Sequence, residues 1–384
     1  MLIVYEHPTY SYVEMFKVKQ IKTKNLKEIK QIVSAYKKIK SEGQKLALAT
    51  VINVEKSSYR RTGARMLIFE DGTWIGGISG GCLEGDILKK AKYAIHTGNP
   101  TVVRYDTRED GAGEIGFGLG CRGLIDVFIS PILGESFQNG IEALKYRLNN
   151  RNENILLTII ESDHPLLLSG SVIPLSQLDS IISKDDLTQE INSLVSEVVE
   201  NQKSKLQSLQ SYGLKVFVEF IPPAPRLYLF GYHYDVFPLA QTADFLGWEI
   251  FIIAPLNKIS KKLADISTKI LSPTAKLPTV DKYSAFVLMS HDVKTDTSNL
   301  IRVIKHKDNY IGMLGPKTRS LEIFDKLNQE GISIDSQNIF FPVGFDIGAK
   351  NPHEISISIV SEIIAFLSKR DGQHLKDRNK PIYS

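Results

Sequence analysis

The second half of the chain alternates apolar runs with helical segments, and this alternation restricts the possible folds more than any other feature. Four apolar runs predict buried strands: Leu227–Phe230, Glu249–Ala254, Ala285–Met289 and Tyr310–Leu314. Helical spacing predicts helices over Pro238–Leu246, Leu300–His306, Ser320–Gln329 and Pro352–Phe366. Strands that alternate with helices predict an α/β fold whose parallel sheet is doubly wound, with helices on both faces.

A proline-rich segment, Ile221-Pro-Pro-Ala-Pro-Arg226, is the clearest domain boundary in the 384-residue chain. We expect four regions. Residues 1–133 form an N-terminal α/β domain, and residues 134–221 form a second lobe or connecting region. Residues 222–371 form the doubly wound domain, and residues 372–384 form a basic tail.

Local patterns before this boundary predict a mixture of helices and strands. An Asp71-Gly72 pair between two apolar runs indicates a β-hairpin. The predicted helices cover residues 24–42, Leu83–Ile95, Glu142–Leu148 and Asp186–Val199. The predicted strands are Leu46–Val54, Met66–Phe69, Thr73–Ile78, Val102–Tyr105, Leu124–Ile129, Ile155–Ile160 and Leu214–Phe220.

Composition excludes several classes of protein. A net charge of +4 is too small to indicate nucleic-acid binding. No apolar run approaches the roughly 18 residues that span a membrane, and no signal peptide is evident. Two cysteines in so long a chain do not form a disulfide framework. We therefore expect a cytoplasmic protein.

Each cysteine lies inside a cluster of glycines. Cys82 follows Gly80 and Gly81, and Cys121 follows Gly120. Glycine is used where backbone approaches a ligand closely. We expect Cys82 in the first turn of a helix, where free N–H groups and the helix dipole favour the thiolate, a ligand for a soft metal. The alternative is a small buried thiol whose glycines only form tight turns.

Arginines and hydroxyl groups cluster in a predicted loop shortly before Cys82. Arg60, Arg61 and Arg65 lie within Ser57-Ser-Tyr-Arg-Arg-Thr-Gly-Ala-Arg65, and guanidinium groups hold phosphate through paired hydrogen bonds. The alternative is a solvated turn. Zinc is not expected, because the sequence has no Cys-x2-Cys and no histidine near either cysteine. No spacing picks out a histidine partner for a cysteine-protease-type site.

The doubly wound region offers weaker candidates. A dinucleotide fingerprint needs glycine at 231, 233 and 236, and only Gly231 is present, with His233 following. Ala254 stands where an acid would hold the ribose. His291 and Asp292 follow an apolar strand, where His291 could be an acid–base group or a hydrogen-bonded strand end. Gly315 opens a basic turn that could hold a phosphate or start a helix, and Asp346 could bind a ligand or cap a turn.

These motifs together resemble the XdhC/CoxI family, the accessory proteins of xanthine dehydrogenase-type molybdenum hydroxylases. The resemblance rests on motifs at both ends of the chain. They are Ser57-Ser-x-Arg-Arg-x-Gly-Ala-Arg65, Ser79-Gly-Gly-Cys-Leu-Glu84, Gly118-Leu-Gly-Cys121, Gly247-Trp248, Ser290-His-Asp292, Tyr310-Ile-Gly-Met-Leu-Gly315, Pro342-Val-Gly-Phe-Asp-Ile-Gly348 and Pro352-x-Glu354-Ile-Ser-Ile-Ser358. The resemblance implies an XdhC/CoxI-type N-terminal domain and a Rossmann-like C-terminal domain. The family's usual Gly-Ala-Gly-His is replaced here by Gly231-Tyr-His233-Tyr.

The resemblance also implies a function: a chaperone that binds the molybdenum cofactor (molybdopterin), protects it during sulfuration and delivers it to an apo-hydroxylase. Its implied partners are that hydroxylase and a cysteine desulfurase, and a homodimer is compatible with it. The residues that we expect at the cofactor are Cys82, Gly80, Gly81, Glu84, Cys121, Gly120, Arg60, Arg61 and Arg65, with Cys82 and Cys121 facing molybdenum.

Two other functions stay open at this point. One is an NAD(P)-dependent oxidoreductase that uses the Rossmann-like domain and His291. The other is an interaction scaffold that would tolerate loss of both cysteines. The chain has no iron–sulfur cysteine set, so we expect a maturation factor rather than the dehydrogenase itself.

Overall fold

A computed structural model describes residues 25–39, 44–56, 58–106, 123–132, 139–182, 186–335 and 337–379. The chain divides between Pro222 and Pro223 into two compact units. Among the described residues, the first unit has two sheets and the second has one, and each unit has its own hydrophobic core.

The described part of the first unit contains both antiparallel strands and helices. Its helices are α1 (Asn25–Ile39), α2 (Glu84–Thr97), α3 (Gly140–Asn149) and α4 (Asp186–Asn201). Its strands are β1 (Leu46–Lys56), β2 (Arg65–Phe69), β3 (Trp74–Gly76), β4 (Thr101–Asp106), β5 (Gly123–Ile132), β6 (Ile155–Ser162), β7 (Val172–Pro174), β8 (Lys205–Leu209) and β9 (Leu214–Phe220).

One sheet of the first unit has the order β3-β2-β1-β5-β4. The predicted hairpin is confirmed, since β2 and β3 pair antiparallel with Met66 opposite Gly76. Apolar residues of α2 pack on this sheet: Ile87, Ala91 and Ala94 are fully buried against it. The sheet therefore positions the N-terminus of α2 beside the end of β3, where the Cys82 segment lies.

The other sheet of the first unit has the order β7-β6-β9-β8, and α4 covers one of its faces. Its strand β9 also places a charged side chain against the first sheet, because Glu219 pairs with Arg65 of β2. The two sheets are thus joined by a buried ion pair as well as by apolar packing.

The second unit is a doubly wound parallel sheet. Its strands are β10 (Arg226–Phe230), β11 (Glu249–Ile253), β12 (Lys269–Leu271), β13 (Ser284–Leu288), β14 (Tyr310–Met313) and β15 (Ile339–Phe340). Its helices are α5 (Val236–Phe245), α6 (Lys261–Ile266), α7 (Val293–Val303), α8 (Lys317–Gln329) and α9 (Pro352–Leu367). The strand order is β12-β11-β10-β13-β14-β15 and every pair is parallel. This is the order of a Rossmann-type sheet, so the predicted fold class is confirmed.

Two helices begin three or more residues before their predicted starts. Helix α7 begins at Val293 rather than Leu300, because the Asp292 carboxylate accepts a hydrogen bond from the Thr295 N–H and caps the helix. Helix α8 begins at Lys317, directly after Pro316. Within the described ranges, no helix combines the length and apolar character needed to cross a membrane.

Candidate functional site

Cys82 lies on the segment that joins β3 to α2, and its side chain is exposed with a free thiol. Helix α2 begins at Glu84, with Leu83 as its N-cap. The prediction that Cys82 lies in the first turn of the helix is therefore wrong, since it precedes the helix. We define residues 77–83 as the cysteine loop.

Ser79 and Glu84 organise the cysteine loop. The buried Glu84 carboxylate accepts hydrogen bonds from the Ile78 N–H at 3.3 Å and the Ser79 N–H at 2.9 Å. The Ser79 hydroxyl also donates to Glu84. The Ser79 oxygen in turn accepts from the N–H groups of Gly81 at 3.1 Å and Leu83 at 3.2 Å. A side chain thus occupies N–H groups that we expected to be free for a ligand.

The exposed surface of the cysteine loop consists of Gly80, Gly81 and Cys82. Gly81 has φ +117°, a conformation that side-chain-bearing residues rarely adopt, and open space lies where its Cβ would be. A Cβ on Gly80 would lie 3.5 Å from the ring of Tyr59. The thiol is therefore accessible, while hydrogen bonds from Ser79 and Glu84 fix the backbone of the cysteine loop.

The three predicted arginines have different environments. Arg60 donates to Glu28 of α1 at 2.5 Å and is mostly buried, and Arg61 is partly buried. Arg65 is almost wholly buried, where it donates to the Gly63 carbonyl oxygen and pairs with Glu219. Arg65 therefore contributes a structural ion pair rather than an exposed cation for a phosphate.

Glu28 is a residue that the sequence analysis missed. One carboxylate oxygen accepts from the Gly77 N–H at 3.1 Å, and the other accepts from Arg60. Burial raises the pKa of Glu28, and the Arg60 charge and hydrogen bond partly offset this. The sequence did contain a signal for this residue. Glu28 lies four residues before Ile32, so it is an acid on the apolar face of α1.

Gly120 and Cys121 lie outside the described residues, so their distance to Cys82 stays a prediction. Across the described part of the chain, no group of three or more histidine, cysteine and acidic residues could hold a metal ion. Within the cysteine loop, Cys82 carries the one side chain with a soft donor atom.

The second unit brings two of its predicted residues together at the switch point, where β10 and β13 lie side by side and the strand order reverses. The His233 and His291 rings meet edge to face, with centroids 5.1 Å apart. His291 Nε2 lies 2.7 Å from an oxygen of Asp235, a partner that the sequence analysis did not identify. His291 has φ +61°, unusual for a residue with a side chain. The structure thus forms an Asp–His pair at the carboxyl edge of the sheet.

The residues at this switch point do not fit a dinucleotide. A pyrophosphate binds to free N–H groups at the helix that follows the first strand. Here the Val236 N–H donates to the His233 carbonyl oxygen, and Pro238 has no N–H. The negatively charged Asp235 is the N-cap of α5. Gly231 serves packing instead, since its Cβ would lie 2.5 Å from the Met289 carbonyl oxygen.

The other predicted residues of the second unit make different contacts. Asp292 caps α7, and hydrogen bonds from Thr295 lower the pKa of its carboxyl group. Gly315 has φ +128° and precedes α8. Asp346 is exposed on the loop before α9 and accepts a long hydrogen bond from Gly348.

A buried acid near this edge was also missed. Asp296 accepts hydrogen bonds from the Ser290 hydroxyl at 2.6 Å and from Arg319 at 2.5 Å. Burial raises the pKa of Asp296, and these partners counteract the shift. Asp296 therefore ties α7 to the end of β13 and to α8.

Comparisons with known proteins agree with the two-unit architecture. Residues 227–363 match the XdhC Rossmann domain, and residues 39–106 match the XdhC and CoxI family. A Bacillus subtilis protein named as a probable subunit of xanthine dehydrogenase is 27% identical over 84% of this chain and 93% of that protein. The molybdenum cofactor insertion chaperone PaoD of Escherichia coli is 22% identical over 84% of this chain and 83% of that protein.

A solved structure shares the fold. A crystal structure described as a xanthine dehydrogenase from Bacillus halodurans superposes with a TM-score of 0.64 and 24% identity, covering 91% of this chain and 98% of that one. At this level of identity the similarity supports the fold alone.

Proposed function

Because this chain belongs to the XdhC and CoxI family, we propose that it is an accessory protein of a xanthine dehydrogenase-type molybdenum hydroxylase. In this role it binds the molybdenum cofactor and delivers it to the apo-enzyme. The relatives' names support the accessory role, since one refers to xanthine dehydrogenase and the other to a molybdenum cofactor insertion chaperone.

The observation that carries the proposal is the exposed thiol of Cys82 at the end of an internally bonded loop. A transfer protein must hold its cargo and release it, so an accessible site suits it better than an enclosed pocket. The Ser79 and Glu84 hydrogen bonds keep the loop ordered without a ligand, which reduces the entropy that binding must overcome.

The donor set fits the cofactor in part. A thiolate is a suitable ligand for molybdenum or for its sulfur, and an exposed Cys82 can supply it. The cofactor brings the metal centre that the hydroxylase uses. For the phosphate of molybdopterin, neither Arg60 nor Arg65 is an uncommitted cation, because Arg60 is paired with Glu28 and Arg65 with Glu219. Cys82 therefore carries the larger share of the proposed affinity.

Two partners follow from this role: the apo-hydroxylase, and a cysteine desulfurase that supplies the sulfur of the mature centre. Both must reach the bound cofactor. Gly80 and Gly81 have no side chains beside Cys82, so a partner can approach the thiol from the exposed side of the loop.

The test is the molybdenum and oxidised-pterin content of the full chain, purified without oxygen from a molybdate-fed host. Wild type, Cys82→Ala and Cys121→Ala are compared, with Asp86→Asn as a control on the neighbouring helix. We expect cofactor in the wild type and the control, and its loss in Cys82→Ala. Pterin-free wild type, or normal hydroxylase maturation with Cys82→Ala, would contradict the proposal.

A further inference from the structure

We infer that Tyr59 is a second binding residue for the cofactor and stacks against its flat pterin ring beside Cys82. This inference rests on the proposed function and deepens it, because it assigns a further contact to the same site. A thiol can bind the metal end of the cofactor, but it does not recognise the organic ring. Selectivity for the whole cofactor therefore needs a contact to the ring.

Tyr59 lies directly against the exposed part of the cysteine loop. A Cβ placed on Gly80 would be 3.5, 3.6 and 3.8 Å from Cγ, Cδ1 and Cδ2 of the Tyr59 ring. An approach in the plane of the ring would make these distances clearly unequal, so Gly80 lies over a face of the ring. Gly80 is two residues before Cys82, and two residues span at most about 7 Å. The aromatic ring and the thiol therefore border the same exposed surface.

The Tyr59 ring is accessible to a ligand. Tyr59 is 51% exposed, and Gly80 and Gly81 beside it are exposed as well. Open space lies where a Cβ on Gly81 would be, so the loop leaves room next to the ring. Tyr105, which reaches α2 from β4, differs in this respect. It is buried and donates a hydrogen bond to Asp86, so it cannot present its ring to a ligand.

Buried contacts position Tyr59 beside the cysteine loop. The preceding residue, Ser58, is buried. The following residue, Arg60, pairs with Glu28 at 2.5 Å, and the other oxygen of that carboxylate accepts from the Gly77 N–H at 3.1 Å. One buried acid therefore contacts both the start of the cysteine loop and the residue that follows Tyr59. A side chain that is in position before its ligand arrives loses less entropy on binding.

The chemistry of the ligand suits an aromatic platform. A pterin consists of two fused heteroaromatic rings, and it is flat and polarisable like a nucleobase. Stacking of a base on an aromatic side chain changes affinity roughly tenfold when that side chain is removed. Tyr59 thus selects a cofactor that has a ring, whereas Cys82 by itself binds a soft metal with or without one.

The first experiment measures binding of the ring without the metal. The probe is 6-hydroxymethylpterin, which is fluorescent and has no metal or dithiolene. The full chain with Cys82→Ala is added to a fixed low concentration of the probe, up to about millimolar protein, the weak end of the affinity scale. Fluorescence anisotropy reports binding. We expect saturable binding that becomes about tenfold weaker in Tyr59→Leu, while Tyr59→Phe retains it because phenylalanine keeps the aromatic ring.

Tyr93→Leu is the matched control. Tyr93 is 70% exposed on α2 and lies nine residues after Glu84, the first residue of the helix. At the helical rise this is roughly 14 Å along the axis from the end of α2 that adjoins the cysteine loop. We expect the pterin affinity of Tyr93→Leu to match that of the parent protein. Circular dichroism checks that each variant folds, and truncation of these exposed tyrosines removes no core side chain.

The second experiment uses the protein loaded with its cofactor. Protein purified without oxygen from a molybdate-fed host is dialysed anaerobically, and the oxidised pterin that stays bound is measured over time. We expect Tyr59→Leu to lose the cofactor about tenfold faster than wild type. Tyr59→Phe and Tyr93→Leu should lose it at the wild-type rate.

Absence of saturable binding of the metal-free pterin would overturn the inference, and so would equal behaviour of Tyr59→Leu and Tyr93→Leu. If Cys82→Ala loses the cofactor but Tyr59→Leu retains it as wild type does, the proposed function stands and the role of Tyr59 is refuted. If purified wild type contains no cofactor while pterin binding depends on Tyr59, the ring site is supported and the delivery role fails.

Discussion

The carboxylate of Glu28 accepts a hydrogen bond from the Gly77 N–H at 3.1 Å, and this contact ties helix α1 to the first residue of the cysteine loop. The same carboxylate binds Arg60, so one buried acid contacts both the cysteine loop and the segment that carries Arg60.

Glu28 should make stability depend on pH. Burial raises the pKa of Glu28 in the folded state, so its ionised form is the less favourable one there. Between its unfolded and folded pKa values the folded state binds more protons, and stability falls as pH rises through this window. We expect the free energy of unfolding of wild type, relative to Glu28→Gln, to decrease with rising pH above the unfolded value. Urea unfolding of both proteins at a series of pH values measures this difference in free energy. A flat or rising difference for Glu28→Gln would refute the assignment.

Breaking the Arg65–Glu219 ion pair should destabilise the first unit. Both side chains are almost fully buried, so removing one leaves an uncompensated charge. We expect Glu219→Gln and Arg65→Met each to cost about 3–5 kcal/mol, and the double variant to cost less than their sum. Denaturant unfolding of all four proteins gives the coupling energy. Additive losses would show that the two charges do not depend on each other.

Gly81 and Gly85 offer a matched test of loop geometry. A Cβ at either position meets open space, but Gly81 has φ +117° while Gly85 lies in the first turn of α2. We expect Gly81→Ala to cost roughly 1–2 kcal/mol through backbone strain. Gly85→Ala should be neutral or stabilise the helix by up to about 1 kcal/mol. Equal unfolding free energies for the two variants would argue against a constrained cysteine loop.

The second unit should not bind NAD(P) with measurable affinity. The α5 N-terminus lacks a donor at Pro238 and carries Asp235, and the buried Ala254 follows the second strand where an acid would hold the ribose. Calorimetric titration of the full chain with either nucleotide at about millimolar concentration, the weak end of the affinity scale, should give no saturable heat. A saturable isotherm that Gly231→Ala abolishes would reverse this conclusion.

Much of the fold was predictable because its signals are local. Apolar runs followed by helical spacing predicted the doubly wound sheet, and the Asp71-Gly72 turn predicted the β2–β3 hairpin. Errors arose where a single side chain sets a boundary. Asp292 starts α7 seven residues before the prediction, and the Ser79 hydrogen bonds keep Cys82 outside α2.

The family, the class of fold and the glycine-framed thiol of Cys82 could all be read from the sequence, because motifs and periodicity are properties of neighbours along the chain. The partners of the polar residues depend instead on the folded chain. Arg65 meets Glu219 154 positions away, and His291 meets Asp235 56 positions away. Such pairs form only where folding brings distant segments together and excludes water, so a pattern of neighbouring residues cannot distinguish a buried, paired arginine from one that is free to bind phosphate.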